Sequence, residues 1–296
     1  MTGELLGEAA SLTAAFLWAL SVALFRNPVR AHGAPAVNLV KCAIASVLLG
    51  ATTVAFGQLG LLVSAPSRDL AMIVVSAVIG LVIGDTALFA AVARIGPYRT
   101  LLLGTLAPVF TAALAAAWQH EIPTGRQAAG VVLILVGIVL VVMPPRGASA
   151  IRWHAVPVAG IALGVLAAAG QGIGVVFAKE GMQEVPFLAA SFLRMVAAVV
   201  GLAIVAIPGG RLLRAIRVAG SRDMGRIGVA SFLGAYVAMA CMMAGIYYAP
   251  AAVAAVLLAT TPVFSMFIDA YTLGERITVR GVTGTMVAVA GVVVLT

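Results

Sequence analysis

Residues 105–130 read TLAPVFTAALAAAWQHEIPTGRQAAG, and residues 259–284 read ATTPVFSMFIDAYTLGERITVRGVTG. The two stretches stand 154 residues apart and keep one register. Extended to 94–142 against 248–296, the alignment needs no gap and holds 11 identities. They include Pro108/Pro262, Val109/Val263, Phe110/Phe264, Glu121/Glu275, Arg126/Arg280, Gly130/Gly284 and Gly137/Gly291. Alanine-rich helices match one another by chance at Ala and Val, but hardly at Pro, Phe, Glu and Arg in one register. Further upstream the register moves by one residue, pairing Arg26 with Lys179 and Lys41 with Arg194. One unit is written twice, dividing the chain into residues 1–148 and 149–296.

Composition says where such a unit can live. Of 296 residues, 63% are hydrophobic and 9% charged, whereas a soluble domain charges about a quarter of its residues. An Ala/Val/Gly-rich α/β domain would still need charged outer helix faces, and stretches such as 70–93 and 125–143 offer almost none. The chain is therefore read as a polytopic membrane protein. A helix crossing roughly 30 Å of hydrocarbon needs about 20 apolar residues. Cutting at charge, proline and glycine leaves ten such segments, near 5–25, 35–57, 69–93, 98–119, 125–143, 154–177, 186–208, 226–247, 251–272 and 278–296. The shortest turns fall at RIGPYR and YYAP. Glu4 and Glu8 stand where a signal peptide would be basic, so the first segment is expected to stay as a membrane helix. Cys42 and Cys241 lie within apolar runs and suggest no disulfide framework.

Charge gives orientation. Of 18 Lys and Arg residues, 13 lie in or beside the odd-numbered loops, whereas only Arg68, Arg126 and Lys179 flank the even ones. Positive flanks stay in the cytoplasm, which places the odd loops inside and both termini outside. Anchoring and orientation account for the net charge of +8 without a nucleic-acid partner. Because five is odd, the second copy enters the membrane from the opposite side. The expected fold is an all-α integral membrane protein of ten transmembrane helices, arranged as two inverted five-helix repeats. Such repeats underlie alternating access in many carriers.

These features resemble the drug/metabolite transporter superfamily, and within it the ten-helix EamA family of bacterial metabolite exporters. The resemblance rests on the doubled unit, on Pro108 and Pro262 in the fourth and ninth helices, and on a Glu-bearing loop before the last helix of each half. The second half gives this loop as LGERITVRGVTG; the first gives QHEIPTGRQAAG, with His120 in place of the glycine. The resemblance implies a cavity lined by the first, third, fourth, sixth, eighth and ninth helices, with the short last helix of each half supporting the fold. That ranks Trp18, Asp85, Gln171 and Tyr236 ahead of Asn38 as cavity residues. Four-helix multidrug relatives carry a glutamate in the first helix, where this chain has Trp18 and no acid near the centre.

Charges at membrane depth are costly unless paired, hydrated or near an end. Asp85, about two-thirds through the third helix, either faces the cavity, binding a cationic amine or a proton, or is buried against a hydrogen-bond partner. Lys41 and Arg194 lie within two turns of their helix starts. Snorkelling to opposite faces explains them, and recognition of a substrate carboxylate is the alternative. Pro108 and Pro262 are read as helix bends or packing residues. Glu121 and Glu275 are read as structural loop acids near Arg126 and Arg280, and Asp269 as structural near Arg276 and Arg280.

No catalytic constellation stands out. His32, His120 and His154 fall in different loops; His32 and His154 share the cytoplasmic side with no paired acid expected nearby, and neither HExxH nor GxSxG occurs. No metal, cofactor or catalytic residue is assigned. The sequence reads as a monomer-capable secondary transporter that exports small organic metabolites, foremost amino acids and aromatic ones among them, across a bacterial inner membrane. Its partners would be the small-molecule substrate and membrane lipids. The alternative is a proton-coupled exporter of multiple drugs or cations, and a reading of another class is a non-transporting receptor or scaffold.

Overall fold

The computed structural model describes residues 2–119, 124–142, 157–206, 211–249, 253, 257–274 and 277–295. Among them every regular element is helical. In chain order they are α1 (Thr2–His32), α2 (Ala34–Ala55), α3 (Ser67–Ile95), α4 (97–119), α5 (Gly125–Val142), α6 (Val158–Gly181), α7 (Phe187–Ala206), α8 (224–248), α9 (Thr261–Leu273) and α10 (Val279–Leu295). Two shorter helices, Leu59–Ser64 and Arg211–Ala219, lie between α2 and α3 and between α7 and α8. Among the described residues seven helices are long and apolar enough to cross a membrane: α1, α2, α3, α5, α6, α7 and, over Met224–Met242, α8. Large apolar side chains such as Val47 (71% exposed) and Val200 (53%) cover the outside. Such a surface suits lipid, not water. The chain is an all-α, multi-pass membrane protein.

Local chemistry sets the breaks. Gly33 (φ 88) and Gly96 (φ 84) are each the whole connection between two helices, a backbone that only glycine adopts without strain. Each is followed by a proline in the first turn of the next helix, Pro35 and Pro97, where the missing N–H costs nothing. RIGPYR is thus a one-residue turn. α1 overruns its expected end near residue 25 and continues through Pro28 to His32. Burial of Val29 and a 3.0 Å hydrogen bond from Arg30 Nε to the Ala93 carbonyl hold that last turn in place. The junction at Pro250, the division at 148/149 and the loop residues Glu121, Glu275, His120, His154 and Arg276 lie outside the described residues.

Two features repeat between the halves. α3 widens into a π-helix over Ala77–Asp85, and α8 does so over Ser231–Ala238. The 153-residue shift that takes Lys41 to Arg194 also takes 77–85 to 230–238. Each π segment packs against a helix of the other half, α3 on α6 and α8 on α1. Ser76 donates to the Gly174 carbonyl at 2.6 Å, and Ser21 donates to the Ala230 carbonyl at 2.8 Å. Positions 21 and 174 correspond under the same shift, and positions 76 and 230 under the 154-residue shift of the opening alignment, so the two bonds are related with donor and acceptor exchanged.

The second feature is the contact of α5 with α10. A Cβ added at Gly130 would stand 2.6 Å from the Leu295 nitrogen, and one at Gly137 would stand 2.5 Å from the Gly284 carbonyl oxygen. Gly130 faces Gly291 while Gly137 faces Gly284, so the helices run antiparallel with backbones almost touching. One apolar core joins α1, α2, α3, α7 and α8, and a second joins α4, α5, α6 and α10.

Candidate functional site

α2 brings Asn38, Lys41 and Cys42 to one face at helical spacing. Asn38, fully buried, donates from Nδ2 to the Leu81 carbonyl at 2.8 Å and to Thr86 Oγ1 at 3.0 Å. Those partners lie within and just beyond the first π segment, so Asn38 pins the widened turn that ends in Asp85. Glycines on the opposite side bring α3 and α6 together: a Cβ at Gly170 would stand 2.8 Å from the Gly84 Cα. That approach delivers Gln171.

Asp85 is 2% exposed and both its oxygens are occupied. Lys41, itself 3% exposed, donates from Nζ to Oδ2, and Gln171 donates from Nε2 to Oδ1 at 2.5 Å. The Lys41 ammonium also stands 5.4 Å from the centre of the Phe89 ring, a cation–π arrangement. Over this pair lies a cavity of about 10 Å³, closed by Trp18, Ser21 and Phe25 of α1, Leu88 and Phe89 of α3, and Ala235 of α8. It has room for one water at most.

The sequence candidates therefore separate. Trp18, Asp85, Lys41 and Gln171 converge, and Asn38 supports them from beneath. The snorkelling expected of Lys41 does not occur, because Asp85 gives its ammonium a partner closer than water. Arg194 lies on the α7 side of α3, where a Cβ at Gly80 would stand 3.4 Å from its Nη2. Its buried Nε has no hydrogen-bond partner among the described residues. Tyr236 lies within the second π segment, with its hydroxyl 2.7 Å from Thr52 Oγ1 and its ring 5.8 Å from that of Phe232. Pro108 follows a 3-10 turn, Gly104–Leu106, and Pro262 follows the turn at 259–260, so both stand in the first turn of a new helical segment. Asp269 accepts the Tyr98 N–H at 2.9 Å and fixes the start of α4.

Sequence reasoning missed two further contacts. His32 Nε2 stands 3.0 Å from Asp223 Oδ2, which overturns the expectation that His32 has no acid nearby. Asp69, at the start of α3, accepts the Glu184 N–H at 3.2 Å. Asp69 and Asp223 are 154 residues apart, the offset of the opening alignment. That offset was the available signal. Each acid reaches from one half to the other, at the start of α3 in one case and just before α8 in the other.

The description of the EamA-like transporter family matches residues 5–143 and again residues 158–296. The chain belongs to this family. It is accordingly a membrane transporter and not an enzyme. No curated protein matches the chain. A solved chain described as "Crystal structure of protein" superposes with a TM-score of 0.61 at 18% identity, covering 99% of this chain and 97% of that one. At that identity the likeness shows the shared fold alone. For an EamA-family transporter, a buried charged centre below a small cavity, bordered by helices of both halves, is the candidate substrate site.

Proposed function

We propose that this EamA-family transporter exports small amphipathic metabolites, amino acids first and aromatic ones among them, across a bacterial inner membrane. The observation that carries the reading is the buried Lys41–Asp85–Gln171 centre beneath Trp18. Asp85 offers a carboxylate to an amine, Lys41 and Arg194 offer cations to a carboxylate, and Trp18 offers a flat apolar wall. Such a set suits a zwitterion better than a sugar or a nucleotide.

The doubled family match, the paired π segments and the turns before Pro108 and Pro262 support ten membrane helices in two inverted five-helix units, 1–148 and 149–296. The arginine-rich odd loops support a cytoplasmic location for those loops, with both termini outside. Transport follows by alternating access. With room for one water over the ion pair, a substrate enters only as α1 and α8 separate from α2 and α3, first on one face and then on the other.

The proton-coupled cation exporter is the second reading, favoured by an acid at membrane depth. Lys41 on Asp85 weighs against it, because a cationic drug would have to displace a tethered ammonium. The test is flux of labelled amino acids, amines, nucleosides and sugars into proteoliposomes, with and without an imposed pH gradient. Saturable amino-acid flux that ignores the gradient is the expected result. Proton-driven flux of many cations, abolished in Asp85→Asn, would establish the second reading instead.

A further inference from the structure

A carrier that exports must bring its centre back empty. An ionised acid at membrane depth makes that return costly, because a carboxylate left without a partner has lost its hydration and gained nothing in exchange. A lone acid escapes the cost in two ways: it takes up a proton, or it waits for a cationic substrate. The first couples transport to protons, and the second limits the carrier to exchange.

Asp85 needs neither. Oδ2 holds the Lys41 ammonium and Oδ1 the Gln171 amide. The division of these partners between the halves matters. Lys41 and Asp85 stand on α2 and α3 of one half, whereas Gln171 stands on α6 of the other. Motion that parts α3 from α6 breaks only a hydrogen bond from a neutral amide, and motion that parts α1 and α8 from α2 and α3 breaks neither bond, so the ion pair stays whole in both.

Resting on the exporter reading above, we propose that Lys41 is a built-in counter-ion. It neutralises Asp85 whenever substrate is absent, so that the empty centre turns from one face to the other without a proton and efflux is net, not obligatory exchange. Substrate amine and Lys41 compete for one carboxylate oxygen, and departure of the substrate returns the lysine to its place. Other charged or titratable groups around Asp85 are few. Among the described residues, α7 brings Arg194, which stands beside Gly80 and interacts electrostatically with Asp85 without forming a salt bridge to it, and α2 brings the Cys42 thiol, which donates to Asn38. α1 and α8 bring Trp18, Ser21 and Ala235 to the cavity, none of them acidic or basic.

The test needs no substrate, so its failure is separate from a failure of the exporter reading, which the flux panel decides. Spin labels replace the exposed residues Ala31 and Arg222 at one face, and Ser67 and Gln183 at the other. Distances are then read in liposomes at neutral and mildly acidic pH. The wild type should populate two distances at each face at either pH. Lys41→Met should lose one population by about tenfold or more at neutral pH. Lys41→Arg, and Lys41→Met combined with Asp85→Asn, should behave as wild type at both pH values.

Three outcomes overturn the proposal: a wild type held in one state without substrate, a Lys41→Met protein with two populations at neutral pH, or a double variant as depleted as the single one. If neutral-pH crossing fails only when Arg194→Met is made, the counter-ion is Arg194 and the assignment to Lys41 is wrong. Should Lys41→Met not fold, wild-type efflux into substrate-free medium decides. Efflux that stops without external substrate is obligatory exchange and equally overturns the proposal.

Discussion

At the scale of single residues, the centre is a test of how buried polar groups are satisfied. Removing one member of a buried ion pair costs about 3–5 kcal/mol, because the other is left charged and alone. Lys41→Met and Asp85→Asn should each destabilise the protein by that order, and together by much less than the sum. Unfolding of the four proteins of this double-mutant cycle in detergent measures the difference. Asn38→Leu should cost about 1–3 kcal/mol by leaving the Leu81 carbonyl and Thr86 without their donor; an unchanged melting temperature would show that Asn38 pins nothing. Asp85 was legible in the sequence, since an acid within an apolar run has few explanations. Its partner was not. Spacing shows that Asn38 and Lys41 share a face, but which face depends on helix rotation, and the π segment turns Asp85 off the phase that α-helical counting gives. Snorkelling was assigned to Lys41 because one sequence shows the distance to the helix end and not the distance to Asp85.

At the scale of elements, helix existence was easier to read than helix ends. α2, α3, α5 and α7 lie within about two residues of their expected bounds, because charge, proline or glycine marks each end. α1 runs seven residues further, to His32, because a proline near a helix end removes one hydrogen bond that local packing replaces. The π segments had no signal in apolar periodicity. The contact that delivers Gln171 is testable. Gly170→Ala puts a methyl group 2.8 Å from the Gly84 Cα, a backbone atom that cannot step aside. Overpacking of this kind costs about 1–3 kcal/mol, and here it should push α6 from α3 and lengthen the Gln171–Asp85 bond. Substrate affinity should fall in Gly170→Ala more than in Gly201→Ala, where the nearest atom is the tip of the Val82 side chain. Equal effects on binding would argue against a role for the α3–α6 contact in the site.

At the scale of the whole molecule, the reciprocal acids mark the two ends of the structure that the proposed alternating-access cycle would move. Asp223 ties the start of α8 to His32, and Asp69 ties the start of α3 to the turn before α7. In a background with Cys42 and Cys241 replaced by serine, a short thiol crosslinker between cysteines at 32 and 223 should stop transport, and so should one between cysteines at 69 and 184. Reductant should restore each. Transport that persists with both links verified in the same molecules would exclude rocking about the centre. The α5–α10 contact, by contrast, leaves no room even for a Cβ at its facing glycines, so it is expected to stay shut throughout the cycle. Its pairing has one more consequence. Gly130 corresponds to Gly284 and Gly137 to Gly291, yet each glycine touches the counterpart of the other. A surface with that property is complementary to itself once turned over. Two identical half-length chains, inserted head-up and head-down in one bilayer, already possess the seam that holds this protein together, so a single ancestral gene of about half the length could have worked as a dimer before it was fused to its own copy.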